Sequence, residues 1–216
     1  MANFLVRVIG SGLSFAAGSL TGLDATTRID VRRRPYPTPH QFAGVLDHPL
    51  RLRYRNPADL LALFGILPGM TVLDVGCGTG LFTEEMARLV GSQGSVLAVD
   101  IQKPMVEATR ARLEESGLLA RCHVHHAGVY DLPIESQSID VAVAVATLGE
   151  VPDRLHALLE IARVLKPGGR LAISEELPHP AYMTSGGVRR LAQEAGYQVA
   201  AKSGTPFVYT MALVRA

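Results

Sequence analysis

Apolar and polar positions follow two alternating rhythms along most of this chain. Short apolar runs rich in β-branched residues, near 70–75, 95–100, 121–127, 138–145 and 170–175, predict strands. Between them, apolar residues three and four positions apart predict helices near 81–90, 103–116 and 153–165. An earlier helix is expected after Asn56, whose side chain can accept from the first free N–H groups, with Pro57 in the first turn and an end near Gly65. Regular strand–helix alternation predicts βαβ units and a parallel sheet. The run 141–145 (VAVAV) is apolar at every position, as a central strand covered on both faces requires. The last part of the chain gives a helix near 186–195, stopped by Gly196, then strands near 197–202 and 206–215.

The first 55 residues break this rhythm and read as an extension of a domain spanning 56–216. Residues 1–23 are largely apolar, with Arg7 their only charge, but are diluted by glycine and serine. They are short for a membrane span and lack the basic start of a secretion signal. The expectation is an apolar helix docked on the domain, with peripheral membrane contact as the alternative. In residues 24–55, Arg28, Arg32, Arg33, Arg34, Arg51, Arg53 and Arg55 make up a third of the chain's 21 lysines and arginines, opposed only by Asp24, Asp30 and Asp47. Pro35, Pro37, Pro39 and Pro49 lead to the expectation of an extended, basic, loop-like segment, either a solvated connector or a lid.

Composition narrows the classes. The 216 residues are 48% hydrophobic, enough for a real core, and the formal net charge of +1 gives no global field toward nucleic acid. Two cysteines, Cys77 and Cys122, suggest neither a zinc site nor a disulfide framework, so a reducing cytoplasm is the expected setting. His123, His125 and His126 lie on one predicted strand. The first and second share a face, but no third ligand accompanies them, so they read as polar strand surface and no metal is expected.

The densest chemical signal is residues 71–80 (TVLDVGCGTG), a strand that ends in glycines at alternate positions before a helix. Such a turn brings backbone N–H groups close to a ligand. Asp74, inside the strand end, would repel a phosphate and suits a cationic ligand. The spacing is not that of a dinucleotide fingerprint, and no P-loop lysine follows. A second acid, Asp100, ends the next strand 20 residues after Gly80, where a carboxylate can accept from two ribose hydroxyls.

Residues 72–80, Asp100 and the run 165–173 (LKPGGRLAI) together resemble class I S-adenosylmethionine-dependent methyltransferases, and the broad group around the quinone-biosynthesis C-methyltransferases most of all. The resemblance covers about 57–176 well and 177–216 loosely; residues 1–50 are outside it. It implies a Rossmann-like, doubly wound, seven-stranded sheet, mostly parallel with an antiparallel last strand. It also implies S-adenosylmethionine as cofactor, held by Asp74, Gly76, Cys77, Gly78, Gly80, Asp100, Ile101, Gly128, Val129 and Ala146. Many relatives place an adenine-binding Asp where this chain has Gly128, which leaves backbone contact or Asp131 to serve.

The acceptor should meet the methyl group after the fourth strand. Thr147 and Glu150 are the candidates there. Glu150 could orient an acceptor or take a proton, while its ordinary expectation is to cap the helix beginning near Asp153. Glu175, Glu176, His179 and Tyr182 follow the fifth strand at the same expected rim. The implied activity is methyl transfer to a small-molecule or lipid-like acceptor, from a monomer or a homodimer. Two other readings compete: a partner subunit that keeps the fold without catalysis, and a nicotinamide dehydrogenase, which Asp74 and the glycine spacing disfavour.

Overall fold

The computed structural model describes residues 22–215, apart from 43, 45–46, 54–55 and 178. The apolar expectation for 1–23 therefore lies almost wholly outside the described residues. The first helix, α1 (Gly22–Arg33), holds Arg28, Arg32 and Arg33, and corrects the extended reading of that stretch. The prolines do break the chain, but only after Arg34, because a proline interrupts its own position and the residue before it and leaves earlier turns intact. A short α2 (Pro49–Leu52) even begins on a proline, which has no N–H to waste in a first turn.

Helix α3 (Pro57–Ala62) starts as the sequence predicts: the Asn56 side chain accepts from the N–H groups of Ala58 and Asp59 at 2.9 and 3.3 Å. Strands and helices then alternate as β1 (Thr71–Val75), α4 (Leu81–Val90), β2 (Ser95–Asp100), α5 (Lys103–Glu115), β3 (Cys122–His126), β4 (Ile139–Val145), α6 (Arg154–Val164) and β5 (Leu165–Glu176). The chain closes with α7 (Ser185–Glu194), β6 (Tyr197–Gly204) and β7 (Val208–Arg215). The seven strands form one sheet in the order β3-β2-β1-β4-β5-β7-β6. Strands β1 to β5 pair in parallel, while β7 is antiparallel to both β5 and β6.

Side-chain alternation splits the core into two layers. Val72, Val96, Val141 and Val143 face α3, α4 and α5, where Leu61, Phe82, Met86, Val90 and Leu113 fill the space. Leu73, Val75, Ala142 and Ala144 face the other way, toward Leu158, Ile161, Val188 and Ala192 of α6 and α7. Strand order reverses between β1 and β4, so connections leave in opposite directions and open a crevice at the strands' carboxyl ends.

Candidate active site

A cavity of about 280 Å³ occupies this crevice. Its walls come from the turns after β1, β2, β3 and β4, from His179 after β5, and from Pro37 and Thr38 of the N-terminal segment. Much of the lining is apolar, with Leu81, Val99, Ile101, Met105, Val129 and Val151 among it.

The turn after β1 is tied to β2 by hydrogen bonds. The N–H groups of Gly76 and Cys77 both donate to the Val99 carbonyl, at 2.8 and 3.1 Å, and Gly78 donates to a carboxylate oxygen of Asp100 at 3.0 Å. Gly76 has a φ of 73°, and a Cβ there would come within 2.6 Å of the Thr147 methyl, so the close approach of these two turns demands glycine. Gly80 answers to a different neighbour: a Cβ would sit 2.9 Å from the Thr109 backbone, which makes it a packing contact between α4 and α5. It does not line the cavity.

The two predicted acids differ. Asp100 lines the cavity while one carboxylate oxygen accepts from Gly78 and the other from the Gln102 N–H at 2.8 Å. Burial raises its pKa, opposed by those two hydrogen bonds. Asp74 is 2% exposed and lies outside the cavity lining, behind the loop, where Thr83 donates to it at 2.5 Å. Burial pushes its pKa up to about 7, against the lowering effect of the Thr83 hydrogen bond. Cys77 lines the cavity, with its thiol held protonated by burial. Ala146 also lines it, at a φ of 54° that a residue with a Cβ seldom adopts, fixed by its N–H donating to the Ser174 carbonyl at 2.7 Å. Ile101, Gly128 and Val129 complete the predicted set on the far wall.

This donor set suits a nucleoside carrying a cationic tail. Asp100 offers carboxylate oxygens to a diol, Ile101 and Val129 offer apolar faces to a flat base, and the glycine cradle leaves room for a chain. Asp131 is exposed and takes no part in the lining.

On the opposite wall the sequence candidates separate. Glu150 does not cap α6: Asp153 does, accepting from the His156 N–H at 3.0 Å. Glu150 sits in a 3-10 turn (Leu148–Glu150) and faces the cavity, its carboxylate 2.9 Å from His179 Nε2. Arg154 braces this turn by donating to the carbonyls of Leu148 and Gly149. His179 is 3% exposed, and its Nδ1 accepts from the Ala181 N–H at 3.2 Å, which places the ring proton on Nε2, toward Glu150. Burial opposes the imidazolium, yet the hydrogen bond and charge of Glu150, with the charges of Glu175 and Glu176, leave its pKa above the ordinary value. Thr147 lines the cavity but turns its hydroxyl to the Val145 carbonyl at 3.1 Å. Tyr182 does not reach the cavity; its hydroxyl donates to the Pro206 carbonyl and its ring meets Tyr209 edge-on. Glu175 is likewise turned away, accepting from the Met183 N–H at 3.2 Å. On β3, His123 is exposed and His126 Nε2 donates to the Ile101 carbonyl at 2.9 Å.

Sequence reasoning missed Thr38, Gln102 and Asp47. The Gln102 side chain donates to the Thr38 carbonyl at 2.9 Å and accepts from the His40 N–H at 3.1 Å. Asp47 accepts from Thr79 at 2.8 Å and pairs with Arg112. Thr38 donates to Glu150 and lies 3.3 Å from His179 Nε2. Nothing in a Pro-x-Pro-Thr-Pro run marks such a contact in advance.

Residues 72–169 match the profile of a family described as a methyltransferase domain. The ubiquinone/menaquinone biosynthesis C-methyltransferase of Vibrio campbellii is 40% identical over 111 residues, which are 51% of this chain and 43% of that protein. The match thus spans less than half the length of that curated relative. A SAM-dependent methyltransferase structure from Aquifex aeolicus aligns with a TM-score of 0.76 at 27% identity, over 81% of this chain and 97% of that one. The structure of the [4+2]-cyclase SpnF shares the fold at a TM-score of 0.65 and 21% identity, over 94% of this chain and 73% of that one. Strand order, glycine cradle, terminal acid on β2 and these likenesses agree: residues 72–169 match a methyltransferase domain, set on the fold of S-adenosylmethionine-dependent methyltransferases.

Proposed function

We propose that this protein methylates a small, largely apolar acceptor, a ring of the kind found in quinone precursors. The observation that carries this reading is that one cavity joins the glycine cradle and Asp100 on one wall to Glu150 and His179 on the other. When bound, S-adenosylmethionine supplies an electrophilic methyl group, so the protein need only bind, orient and keep water out. Asp100 would hold the ribose and Gly76 and Gly78 the amino-acid part, with Asp74 acting on the ammonium through the loop. The N-terminal extension would serve as the lid, since its Thr38 donates to Glu150 and its Asp47 accepts from Thr79 of the glycine turn. The names of the curated relatives and the apolar lining support a quinone-like acceptor. Membrane contact through 1–23 and a cytoplasmic setting are further proposals; among the described residues no helix is long and apolar enough to cross a membrane.

Because the same fold occurs in a [4+2]-cyclase, turnover is the test. Isothermal titration should show S-adenosylmethionine binding and no NAD binding. Incubation with reduced quinone precursors should release S-adenosylhomocysteine and a product heavier by one methylene. Asp100→Ala should weaken cofactor binding by about 1.5–3 kcal/mol, the range for hydrogen bonds to a charged group. Unchanged affinity in a folded variant would remove Asp100 from the site.

A further inference from the structure

From the N-terminal segment, the Thr38 side chain reaches both members of the Glu150–His179 pair. Its hydroxyl donates to Glu150 Oε1, and its oxygen lies 3.3 Å from His179 Nε2. The imidazole proton is directed at the same carboxylate oxygen, 2.9 Å away. Glu150 therefore receives two donors at one point, one from the loop after β5 and one from the N-terminal segment. The His179 ring is held by the Ala181 N–H on its far side, its carbonyl accepts from Arg28 at 2.9 Å, and Arg154 braces the turn under Glu150. Thr38 sits on a segment joined to the domain at this point through the Gln102 side chain.

From this we infer that the Thr38 hydroxyl is a place-holder. It occupies the point where Glu150 recognises the hydroxyl of the methyl acceptor, and the acceptor displaces it. The inference rests on the methyltransferase reading above and adds the residue that sets acceptor choice. In a largely apolar cavity, a carboxylate that gives up one of its two donors loses solvation that the walls cannot replace, so a second donor beside His179 is favoured there in both states. Before an acceptor arrives, Thr38 supplies it; afterwards the acceptor does. An apolar molecule without a donor would have to leave Thr38 in place or strip Glu150 of one partner, which selects against it.

The same arrangement fixes where a proton goes. When the acceptor's O–H bond breaks, its electron pair stays on the acceptor oxygen and the proton bonds to the Glu150 carboxylate. His179 cannot take it at Nε2, which already carries a hydrogen, so His179 is a positioning residue and Glu150 the proton acceptor. Phenols and enols fit this chemistry, since loss of the proton makes oxygen and the adjacent carbon more electron-rich.

The test compares 4-ethylphenol with its methyl ether, 4-ethylanisole, which keeps the ring and the oxygen but lacks the donor. Calorimetric titration of the full chain, with and without saturating S-adenosylhomocysteine, should show the phenol bound about tenfold more tightly. Thr38→Val removes the competing hydroxyl at constant shape, and should tighten the phenol about threefold or more while leaving the ether unchanged. Glu150→Ala should make the two ligands equal, and Glu150→Gln, the safer variant for folding, should narrow the gap. His179→Ala should reduce the preference for the phenol without abolishing its binding. Equal binding of phenol and ether by the wild type, or a Thr38→Val variant that weakens both, overturns the inference. Failure to bind S-adenosylhomocysteine would instead overturn the methyltransferase reading, while the phenol preference without cofactor would still decide the role of Thr38.

Discussion

Protonation of Asp74 is linked to the protein's stability through its burial. An aspartate has a pKa near 3.8 when exposed, and burial beneath the glycine loop carries this one to about 7 in the folded chain. Between those values the folded form binds more protons than the unfolded form, so stability falls as pH rises from about 4 through 7. Asp74→Asn keeps the shape and the oxygen that accepts from Thr83 but removes the ionisation. It should match the wild type near pH 4 and exceed it at pH 8 by about 1–3 kcal/mol, as read by urea unfolding at both pH values. If Asp74 serves the cofactor's ammonium, the same substitution should also weaken S-adenosylmethionine binding, most of all above pH 7. A variant that is no more stable at pH 8 would mean that the carboxylate is ionised and well solvated in the folded protein.

At the scale of elements, the 3-10 turn that carries Glu150 is set by its contact with the loop that carries His179. A Cβ on Gly149 would lie 1.8 Å from the Ala181 carbonyl oxygen, which is backbone and cannot turn aside. Gly149→Ala should therefore separate the two loops, destabilise the protein by roughly 1–3 kcal/mol and reduce methyl transfer more than cofactor affinity. Gly186→Ala in α7 is the contrast, for nothing lies within 4 Å of the added methyl. It should stabilise by about 0.5–1 kcal/mol and leave activity unchanged, the gain expected when a helical glycine is replaced. Thermal unfolding and initial rates on both variants decide the pair. The elements themselves were legible from residues 57 to 215, since a period of two or of 3.6 is written in the apolar positions whether or not neighbours are known. Helix α1 was not, because prolines downstream were read as if they acted upstream. Glu150 was misjudged as a cap for a different reason: Asp153 performs that role from a position three residues on, and only the fold brings His179 and Thr38 to the glutamate.

For the whole molecule, the described residues of the N-terminal segment make polar contacts at the cavity rim, and Val31 is deeply buried among them. Deleting residues 1–48 should leave a folded domain that still binds S-adenosylmethionine, with faster cofactor release and little or no methyl transfer. Stopped-flow release and product formation separate that result from a membrane anchor, whose loss would cost liposome binding and spare turnover on soluble acceptors. An insoluble product would show that the segment belongs to the core. The wall proposed for the cofactor was readable in sequence because it is local, a single turn and the strand beside it. The wall proposed for the acceptor was readable only in part: Thr147, Glu150 and His179 stood out as candidates and line the cavity, but Thr38 is brought to them only by the fold.

The place of β7 has a consequence for synthesis. Strand β7 lies between β5 and β6, both of which precede it in the chain. While a ribosome is still making residues 208–215, β6 lacks the neighbour it will pair with, and one flank of β5 stays open through residues 170–176. An open strand flank invites pairing with other chains. Nascent chains paused before Val208 should be captured by chaperones and cut readily by protease, and chains allowed to run through Arg215 should become resistant within one cooperative step. Strand β7, made after the six other strands of the sheet, thus acts as its closing seam.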